Sequence, residues 1–350
     1  MSMDALNLFR GQILERQPSC IRGSGSKDFY GGPLVGQVLD TRPYSGIVHY
    51  EPTELVITAR CGTPLSEVES ALAGHQQHLA FEPPHFGHAT LGGMVASGLS
   101  GPTRAALGSL RDHVLGVRIM DGEGRVLRFG GEVMKNVAGF DVSRLMVGAL
   151  GTLGLILDVS LKVMPMPLAE ASLRFEISQD VALTTMNRWA GEPWPLVASA
   201  WENGLMTVRL AGAHAAVAAA CQTLGGDRLE PLSARQFWQG LREQTSAFFA
   251  GNQPIWRLSL PSIVPPIPLS GPLLIEWGGS QRWLQSDAHP NLIRELATQN
   301  GGHATLFRGS KARDDIFTPP SAPLMEIHRR LKQRFDPHQV FNRGRLYPEF

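Results

Sequence analysis

The sequence has little cysteine, and what it has is scattered. Its three cysteines, Cys20, Cys61 and Cys221, lie far apart and show no C-x-x-C spacing. This argues against a disulfide framework, a zinc site and an iron–sulfur cluster held by this chain. We therefore expect no metal, and we expect a protein of a reducing compartment.

An excess of charge of either sign is also missing, since 32 basic residues face 31 acidic ones. No stretch combines clustered Lys and Arg with interleaved aromatics, so nucleic acid is not an expected partner. Residues 1–16 lack the apolar core of a signal peptide. The conspicuous uncharged run at 145–157 is shorter than the roughly 20 residues that span a bilayer. We expect a soluble, cytoplasmic protein without a membrane span.

What the sequence does have is glycine, most densely between residues 87 and 154, and room for about two domains of roughly 100–200 residues each. Pro165 and Pro167 then indicate a domain boundary, because proline breaks strand pairing and stiffens a linker. Before that boundary, a β-rich run at 55–60 leads to Thr63 as the N-cap and Pro64 as the first residue of a helix that ends near Ala73. Further strands are predicted at 114–120, 125–129 and 153–164, with a hairpin turn at 121–124.

After the boundary the pattern alternates between strands and helices. Strands are predicted at 172–177, 196–201, 206–210 and 273–277, and helices at 181–190 and 214–224. A final helix at 324–335 is predicted to place Leu324, Ile327, Leu331 and Phe335 on one apolar face, and Asp336-Pro337 ends it.

The first segment with chemical meaning is a short strand that runs into glycines at 21–27. Gly23 and Gly25 let backbone N–H groups approach a pyrophosphate, and Ser24 and Ser26 add hydroxyl donors. Two better-known phosphate motifs do not fit, because Asp28 interrupts G-x-G-x-x-G and Lys27 is followed by Asp28 in place of Ser or Thr. Taken alone, the segment is equally compatible with a surface turn.

A second segment, at 82–101, joins a rigid Pro-Pro entry to a run of small residues. Such a run lets the backbone lie against a flat ring and a phosphate chain. A tightly packed turn and helix is the alternative interpretation. The small residues are Thr90, Gly92, Gly93, Ser97 and Gly98.

In this order, these segments resemble the PCMH-type FAD-binding domain of the vanillyl-alcohol-oxidase superfamily. The motifs that carry the resemblance are RGSGS at 22–26, ATLGG at 89–93, RDHVLG at 111–116, GTLGLI at 151–156 and a closing FDPHQVFNRGR at 335–345, in which Arg343 stands where proline is usual. Residues 50–60, 130–145 and 300–305 resemble more specifically the flavin subunits of glycolate oxidase. The length and the PPHFG stretch are similar to the smaller, E-type subunit.

The resemblance implies which residues contact the cofactor. It places the pyrophosphate at Gly23, Ser24, Gly25, Ser26 and Lys27. It places the ring system along Thr90, Leu91, Gly92, Gly93, Ser97 and Gly98, and the adenosine end near Gly154, Leu155 and Ile156. Asn342 of the closing signature joins the set, as does Asp112, for which a loop-capping role is the alternative. Relatives that tether flavin covalently use a His of the first loop or a Cys near the second segment. Here the first loop offers Lys27, and no cysteine lies between Cys61 and Cys221. We therefore expect noncovalent FAD.

Histidine offers no clear catalytic group. His85 and His88 have a metal-like spacing but lack a third ligand nearby. His303 either faces the flavin or caps the preceding helix. The larger relatives carry a fuller cluster of His, Glu and Arg that binds substrate, and no such cluster is evident in this sequence, so the catalytic residues stay unassigned.

The resemblance implies an α+β fold of three parts: a PCMH-type FAD-binding domain at 1–165, an α/β cap at 166–322, and a C-terminal helix and tail at 323–350 that return to the first domain. The implied function is that of an FAD-binding subunit of a glycolate oxidase complex, which converts glycolate to glyoxylate. Its expected partners are a larger flavin subunit and an iron–sulfur subunit, through which it would be at most peripheral to the inner membrane. The alternatives are a self-sufficient dehydrogenase for D-lactate or a similar acid, a non-catalytic flavin-holding scaffold, and a chain that has lost FAD.

Overall fold

The computed structural model describes residues 2–131, 140–309 and 316–349. The helices, numbered in chain order, are α1 Ser2–Leu14, α2 Leu65–Ala73, α3 Leu91–Ser97, α4 Arg104–Leu107, α5 Leu110–His113, α6 Val142–Leu145, α7 Gln179–Ala190, α8 His214–Leu224, α9 Pro231–Arg242, α10 Pro290–Gln299 and α11 Ala322–Phe335. Within the described residues, none of the helices is both long and apolar enough to cross a membrane.

The strands fall into two larger sheets and two small ones. Those of the first half are β1 Ser19–Arg22, β2 Gln37–Asp40, β3 Ile47–Glu51, β4 Val56–Arg60, β5 Gln77–His78, β6 Val114–Met120, β7 Val126–Gly130, β8 Leu155–Lys162 and β9 Met164–Pro165. Those of the second half are β10 Ala169–Glu176, β11 Leu196–Glu202, β12 Leu205–Gly212, β13 Asp227–Arg228, β14 Ile255–Ser259, β15 Leu273–Glu276, β16 Gln281–Gln285 and β17 His303–Arg308.

The first half is built around a five-stranded antiparallel sheet in the order β3-β4-β8-β6-β7. Its central strand, β8, is buried along almost its whole length, including the polar Asp158 and Ser160. Helix α2 buries Leu65, Val68 and Leu72, and α3 buries Leu91 and Met94, in the same core. The parallel pair β1 and β2 lies beside this core and brings the end of β1 to the first glycine loop.

The second half forms one eight-stranded antiparallel sheet in the order β13-β10-β12-β11-β15-β16-β14-β17, which we call the cap sheet. One face packs against α7, α8 and α10 through apolar clusters that include Met186, Val217 and Ile293. The other face carries Ala200, Trp283 and Phe307 and packs against α9 and against Tyr30 and Leu99 of the first half. This inner face therefore forms one wall of whatever lies between the two halves.

Helix α11 returns the chain to the first half, and its orientation corrects the predicted apolar face. Leu324 and Ile327 are exposed, and the most deeply buried positions are Met325 and Lys332. The Lys332 ammonium donates to Asp336 Oδ2 at 2.7 Å and to the carbonyls of Thr152 and Phe341 at 2.7 and 2.9 Å. A buried lysine with three acceptors thus takes a place that hydrophobic periodicity assigns to an apolar residue.

Most of the predicted elements are confirmed to within a few residues, including both hairpin strands and the helix at 214–224. The start of α2 is a small correction. Pro64 takes the N-cap position and Leu65 the first helical one. The Thr63 hydroxyl is engaged elsewhere, with the backbone of Gly46. Residues 132–139, which belong to the glycolate-oxidase-like motif at 130–145, lie outside the described residues.

Candidate cofactor site

A cleft in the first half brings together four stretches that are far apart in sequence. Its lining comes from residues 21–28, 90–97, 150–156 and 342–345, with single contributions from Leu34, Thr41 and Cys61. Its empty volume, open mouth included, is about 740 Å³.

The first glycine loop presents a row of free donors to this cleft. β1 ends at Arg22, and within the described residues the backbone N–H groups of positions 23–27 donate to no protein acceptor. Gly25 has a φ of +80°, a left-handed conformation that favours glycine. An ion pair of 2.6 Å between Arg22 and Asp28 closes the loop. Successive unpaired N–H groups in a tight turn form a concavity that binds anions.

The second wall is the start of α3, whose two glycines have different surroundings. The Thr90 hydroxyl caps the helix by accepting from Gly93 N at 3.3 Å. A Cβ at Gly92 would lie 2.7 Å from the Cβ of Cys61, so Gly92 is needed for packing within the protein. A Cβ at Gly93 would approach only the Thr90 hydroxyl, at 3.2 Å. The remaining space at Gly93 therefore belongs to the cleft.

The third and fourth walls are joined by Asn342. Its side-chain oxygen accepts from Ile21 N at 2.7 Å, and its amide donates to Leu150 O at 2.6 Å. Gly151 has a φ of +73°, and a Cβ there would lie 2.6 Å from the Asn342 amide nitrogen. Asn342 thus fixes β1, the loop before β8 and the C-terminal tail around one end of the cleft.

Cations complement the free donors. The Lys27 ammonium lies 3.3 Å from His85 O and 5.5 Å from the centre of the Phe86 ring. Burial lowers the pKa of Lys27 to about 8, against the opposing effect of Glu243. Arg345 lines the cleft and donates to the carbonyls of Lys27 and Asp28 at 3.3 and 3.2 Å. An anionic group in the cleft would stabilise the charged form of Lys27.

These features fit the pyrophosphate and rings of a dinucleotide. Five consecutive N–H groups without acceptors, two nearby cations and a glycine-lined wall offer donors, charge and close approach together. Cys61 lines the same cleft, and burial raises the pKa of its thiol to about 12. The thiol therefore stays protonated, and a protonated thiol is a poor nucleophile.

The structure brings most of the predicted cofactor contacts to this cleft. Three of them do not line it: Leu91, which is buried in the core, Gly98, and Asp112. Gly98 ends α3 with a φ of +65°, and Asp112 accepts from the N–H and hydroxyl of Ser109 at 2.8 Å each. For the residues that line the cleft and for these three alike, contact with the cofactor stays a prediction. The lining residues that sequence reasoning missed include Thr41, Cys61, Ala96, Gly151 and Arg345.

The histidines show no metal site. His85 forms an ion pair of 3.0 Å with Glu69, and His88 is exposed. His303 is the exposed first residue of β17. Across the part of the chain that the structure describes, no group of three or more His, Cys, Asp or Glu side chains could hold a metal ion.

Comparisons with known proteins agree with this geometry. The family model described as "FAD binding domain" matches residues 14–130. Glycolate oxidase subunit GlcE of Escherichia coli K12 is 51% identical over 338 residues, which cover 96% of this chain and 95% of that protein. Glycolate oxidase subunit GlcD of Bacillus subtilis is 29% identical over 45% of this chain and 34% of that protein. A D-lactate dehydrogenase of Archaeoglobus fulgidus is 31% identical over 42% of this chain and 33% of that protein.

The fold has relatives among solved structures. An alkyldihydroxyacetonephosphate synthase superposes with a TM-score of 0.68 over 97% of this chain and 74% of its own, at 15% identity. At that identity the likeness shows the fold alone. Together with the FAD-binding match, it confirms the expected α+β, PCMH-type class.

Proposed function

This chain belongs to the family of glycolate oxidase subunit GlcE, an FAD-dependent oxidoreductase family, and we propose that it is the FAD-binding subunit of a complex that oxidises glycolate to glyoxylate. One observation carries the proposal: a cleft with a row of free N–H donors occurs in a chain that is 51% identical to GlcE along almost its whole length. FAD, when bound, supplies the acceptor for a hydride and its electron pair.

Different residues of the cleft hold different parts of FAD. The N–H groups of positions 23–27 and the Lys27 ammonium bind the pyrophosphate. Gly93 and Ser97 let α3 lie against the ring system, and residues 154–156 border the adenosine end. Asn342 positions the surrounding segments by its hydrogen bonds to Ile21 and Leu150.

We propose that the flavin is bound without a covalent bond. Cys61 is the cysteine that lines the cleft, and burial keeps its thiol protonated. Cys20 is also buried, and the pKa of its thiol is likewise raised by burial. Neither thiol is set up as a nucleophile toward the flavin ring.

We propose that electrons leave this chain to a partner iron–sulfur subunit or another acceptor. The cysteines at 20, 61 and 221 are all free, and the described residues contain no cluster of metal-ligand side chains. An iron–sulfur centre needs about four cysteine ligands. We propose that a partner iron–sulfur subunit and a larger flavin subunit complete the complex, in the cytoplasm or peripheral to the inner membrane.

The test is expression of the chain alone and together with a larger flavin subunit and an iron–sulfur subunit. We expect a complex that elutes as one species and reduces a dye with glycolate, and an isolated chain that is poorly active. Such an interface would bury at least about 1,000 Å². Robust oxidation of glycolate or D-lactate by the isolated chain, unchanged by the partners, would instead favour the self-sufficient dehydrogenase.

A further inference from the structure

A second, smaller cavity lies between the inner face of the cap sheet and the first half. Its walls include Phe86 and Leu99 from the first half and Gln244, Arg257, Glu276 and Trp283 from the second. Its empty volume, open mouth included, is about 320 Å³, less than half that of the cofactor cleft. A small ligand is therefore a better fit than a bulky one.

Strand register places the polar groups of this cavity on one face of the cap sheet. Glu276 of β15 pairs directly with Gln281 of β16, and Arg257 of β14 pairs directly with Trp283 of β16. Residues that pair directly across neighbouring strands point to the same side, and positions 281 and 283 share a side because side chains alternate. The carboxylate and the guanidinium thus share one surface although 19 positions separate them in sequence.

Glu276 is a buried carboxyl group that has one oxygen to spare. It is 4% exposed, and Oε2 accepts from Trp283 Nε1 at 2.6 Å and from Gln281 Nε2 at 3.1 Å. Within the described chain no donor contacts Oε1. Burial raises the pKa of Glu276 to about 7, the two hydrogen bonds oppose that shift, and Glu82 adds to it. Such a group changes charge near neutral pH.

Arg257 is a cation without a carboxylate partner. Its Nη2 donates to the Tyr30 hydroxyl at 3.1 Å, and its guanidinium lies 5.7 Å from the centre of the Tyr30 ring and 5.8 Å from that of Phe307. In the described parts of the chain no carboxylate oxygen comes within 4.0 Å of it. A half-buried arginine is usually paired, because an isolated buried charge is costly. Here its charge is left for a ligand.

Gln244 places another polar atom that lacks a hydrogen-bond partner among the described residues at this cavity. It is 8% exposed, and its side-chain oxygen is buried with no hydrogen-bond donor among the described residues. A buried acceptor left without a donor destabilises the folded protein. Around one cavity lie an acceptor without a donor, a cation without a carboxylate and a carboxyl oxygen without a donor among the described residues. Together they match the donors and acceptors of a small acid that carries a hydroxyl group.

Some residues that line the cavity adjoin residues that line the cofactor cleft. Ser97 lines the cleft, and Leu99, two residues later, lines the cavity. Lys27 lines the cleft, and its ammonium lies 5.5 Å from the ring centre of Phe86, which lines the cavity. A ligand in the cavity would therefore be a neighbour of the cofactor.

We propose that this cavity binds a small 2-hydroxy carboxylate, with Arg257 paired to its carboxylate and with Gln244 and Glu276 facing its hydroxyl group. The identity of the acid as glycolate rests on the proposed function. The site gives this chain a substrate-binding pocket of its own, built from arginine, glutamine and glutamate without histidine. It would distinguish the chain from a scaffold that only holds flavin.

The site implies a pH dependence with a definite sign. Ionised Glu276 repels a bound carboxylate, so affinity should be highest below about pH 7 and fall as Glu276 loses its proton. The other charged groups that face the cavity or Glu276 are Arg242 on α9, Arg257 on β14 and Glu82. Glu82 forms an ion pair of 2.6 Å with Arg209.

The experiment titrates the FAD-loaded chain, without partners and without oxygen, with glycolate, acetate and ethylene glycol. Flavin difference spectra and ligand-observed NMR report binding, so turnover is not needed. We expect glycolate to bind saturably, acetate to bind more weakly, and ethylene glycol, which has no carboxylate, not to bind. Arg257→Met should weaken glycolate at least about tenfold, since a charge-assisted contact contributes roughly 1.5–3 kcal/mol. Glu276→Gln should abolish the fall in affinity above pH 7.

Arg235→Met is the matched control, because Arg235 is an exposed arginine on α9 that does not line this cavity. If the Arg257→Met variant no longer binds FAD, Gln244→Leu tests the same cavity from the segment that follows α9. This variant should also bind glycolate more weakly. Glycolate that fails to bind the FAD-loaded chain, or binds all these variants equally, overturns the inference. Turnover by the full complex in that case would leave the proposed function intact. Glycolate binding to this cavity without glycolate turnover by the full complex would support the inferred site and contradict the proposed function.

Discussion

Gly93 offers a way to separate cofactor binding from folding. A methyl group at this position would meet only the Thr90 hydroxyl, at 3.2 Å, and otherwise projects into the cleft. Alanine is about 1 kcal/mol better than glycine inside a helix, and Gly93 is the third residue of α3. Gly93→Ala should therefore leave the FAD-free protein folded, with the tight contact to the Thr90 hydroxyl offsetting part of the helical gain.

The same methyl group should weaken the binding of FAD. If it displaces a single hydrogen bond to the flavin ring, the loss is about 0.5–1.5 kcal/mol, or roughly twofold to tenfold in Kd. Gly93→Val should abolish binding. The assay is FAD titration of the apoprotein, followed by flavin fluorescence, together with urea unfolding of both forms.

Gly11→Ala in α1 is the matched control, since a Cβ there has nothing within 4 Å. It should gain the same helical stability and leave the Kd for FAD unchanged. Equal FAD affinity in Gly93→Ala and wild type would refute the placement of the flavin along α3. A Gly93→Ala apoprotein that unfolds much more easily than wild type would refute the reading of the space around this residue.

Three further predictions concern the cleft and its supports. FAD should leave the protein on acid precipitation, and changing Cys20, Cys61 and Cys221 together to Ser should not alter flavin content; flavin retained in the precipitate would contradict this. FAD affinity should not change with pH below pH 8 and should fall above it. Lys27 has a pKa of about 8 in the FAD-free protein, so above that pH it must take up a proton when FAD binds. The Lys27→Met variant should bind FAD more weakly and without this dependence on pH. Lys332→Met should lower the free energy of unfolding by about 3–5 kcal/mol by stranding Asp336, whereas Arg330→Met on the exposed side of α11 should change it by less than about 0.5 kcal/mol.

The cofactor cleft was largely predictable because its chemistry is local. Gly23 and Gly25 are close in sequence, and the donors that they expose belong to the same short loop. Motif order then connected this loop to the start of α3 and to the residues around Gly154. Arg345 and Cys61 escaped notice because their place in the cleft depends on how the C-terminal tail and β4 pack, which no local pattern encodes.

The cavity beside the cap sheet could not be foreseen for the same physical reason. Arg257 and Glu276 lie on separate strands and meet through the register of β14, β15 and β16, and Gln244 reaches the cavity from the segment after α9. The misassigned face of α11 shows another limit of periodicity. Lys332 can be buried because its ammonium donates hydrogen bonds to three acceptors, which belong to Thr152, Asp336 and Phe341. Periodicity counts apolar residues, and it has no means to anticipate a buried charge that is fully paired.

The central claim is that the flavin held by this chain takes part in glycolate oxidation by a complex. The direct measurement compares glycolate-dependent dye reduction by two complexes with the same partner subunits, one assembled with the wild-type chain and one with Gly93→Val. We predict that both complexes assemble, and that the second lacks this chain's FAD and loses most of its turnover. A fully assembled complex that keeps wild-type turnover without this chain's flavin would contradict the account and leave the chain a structural subunit.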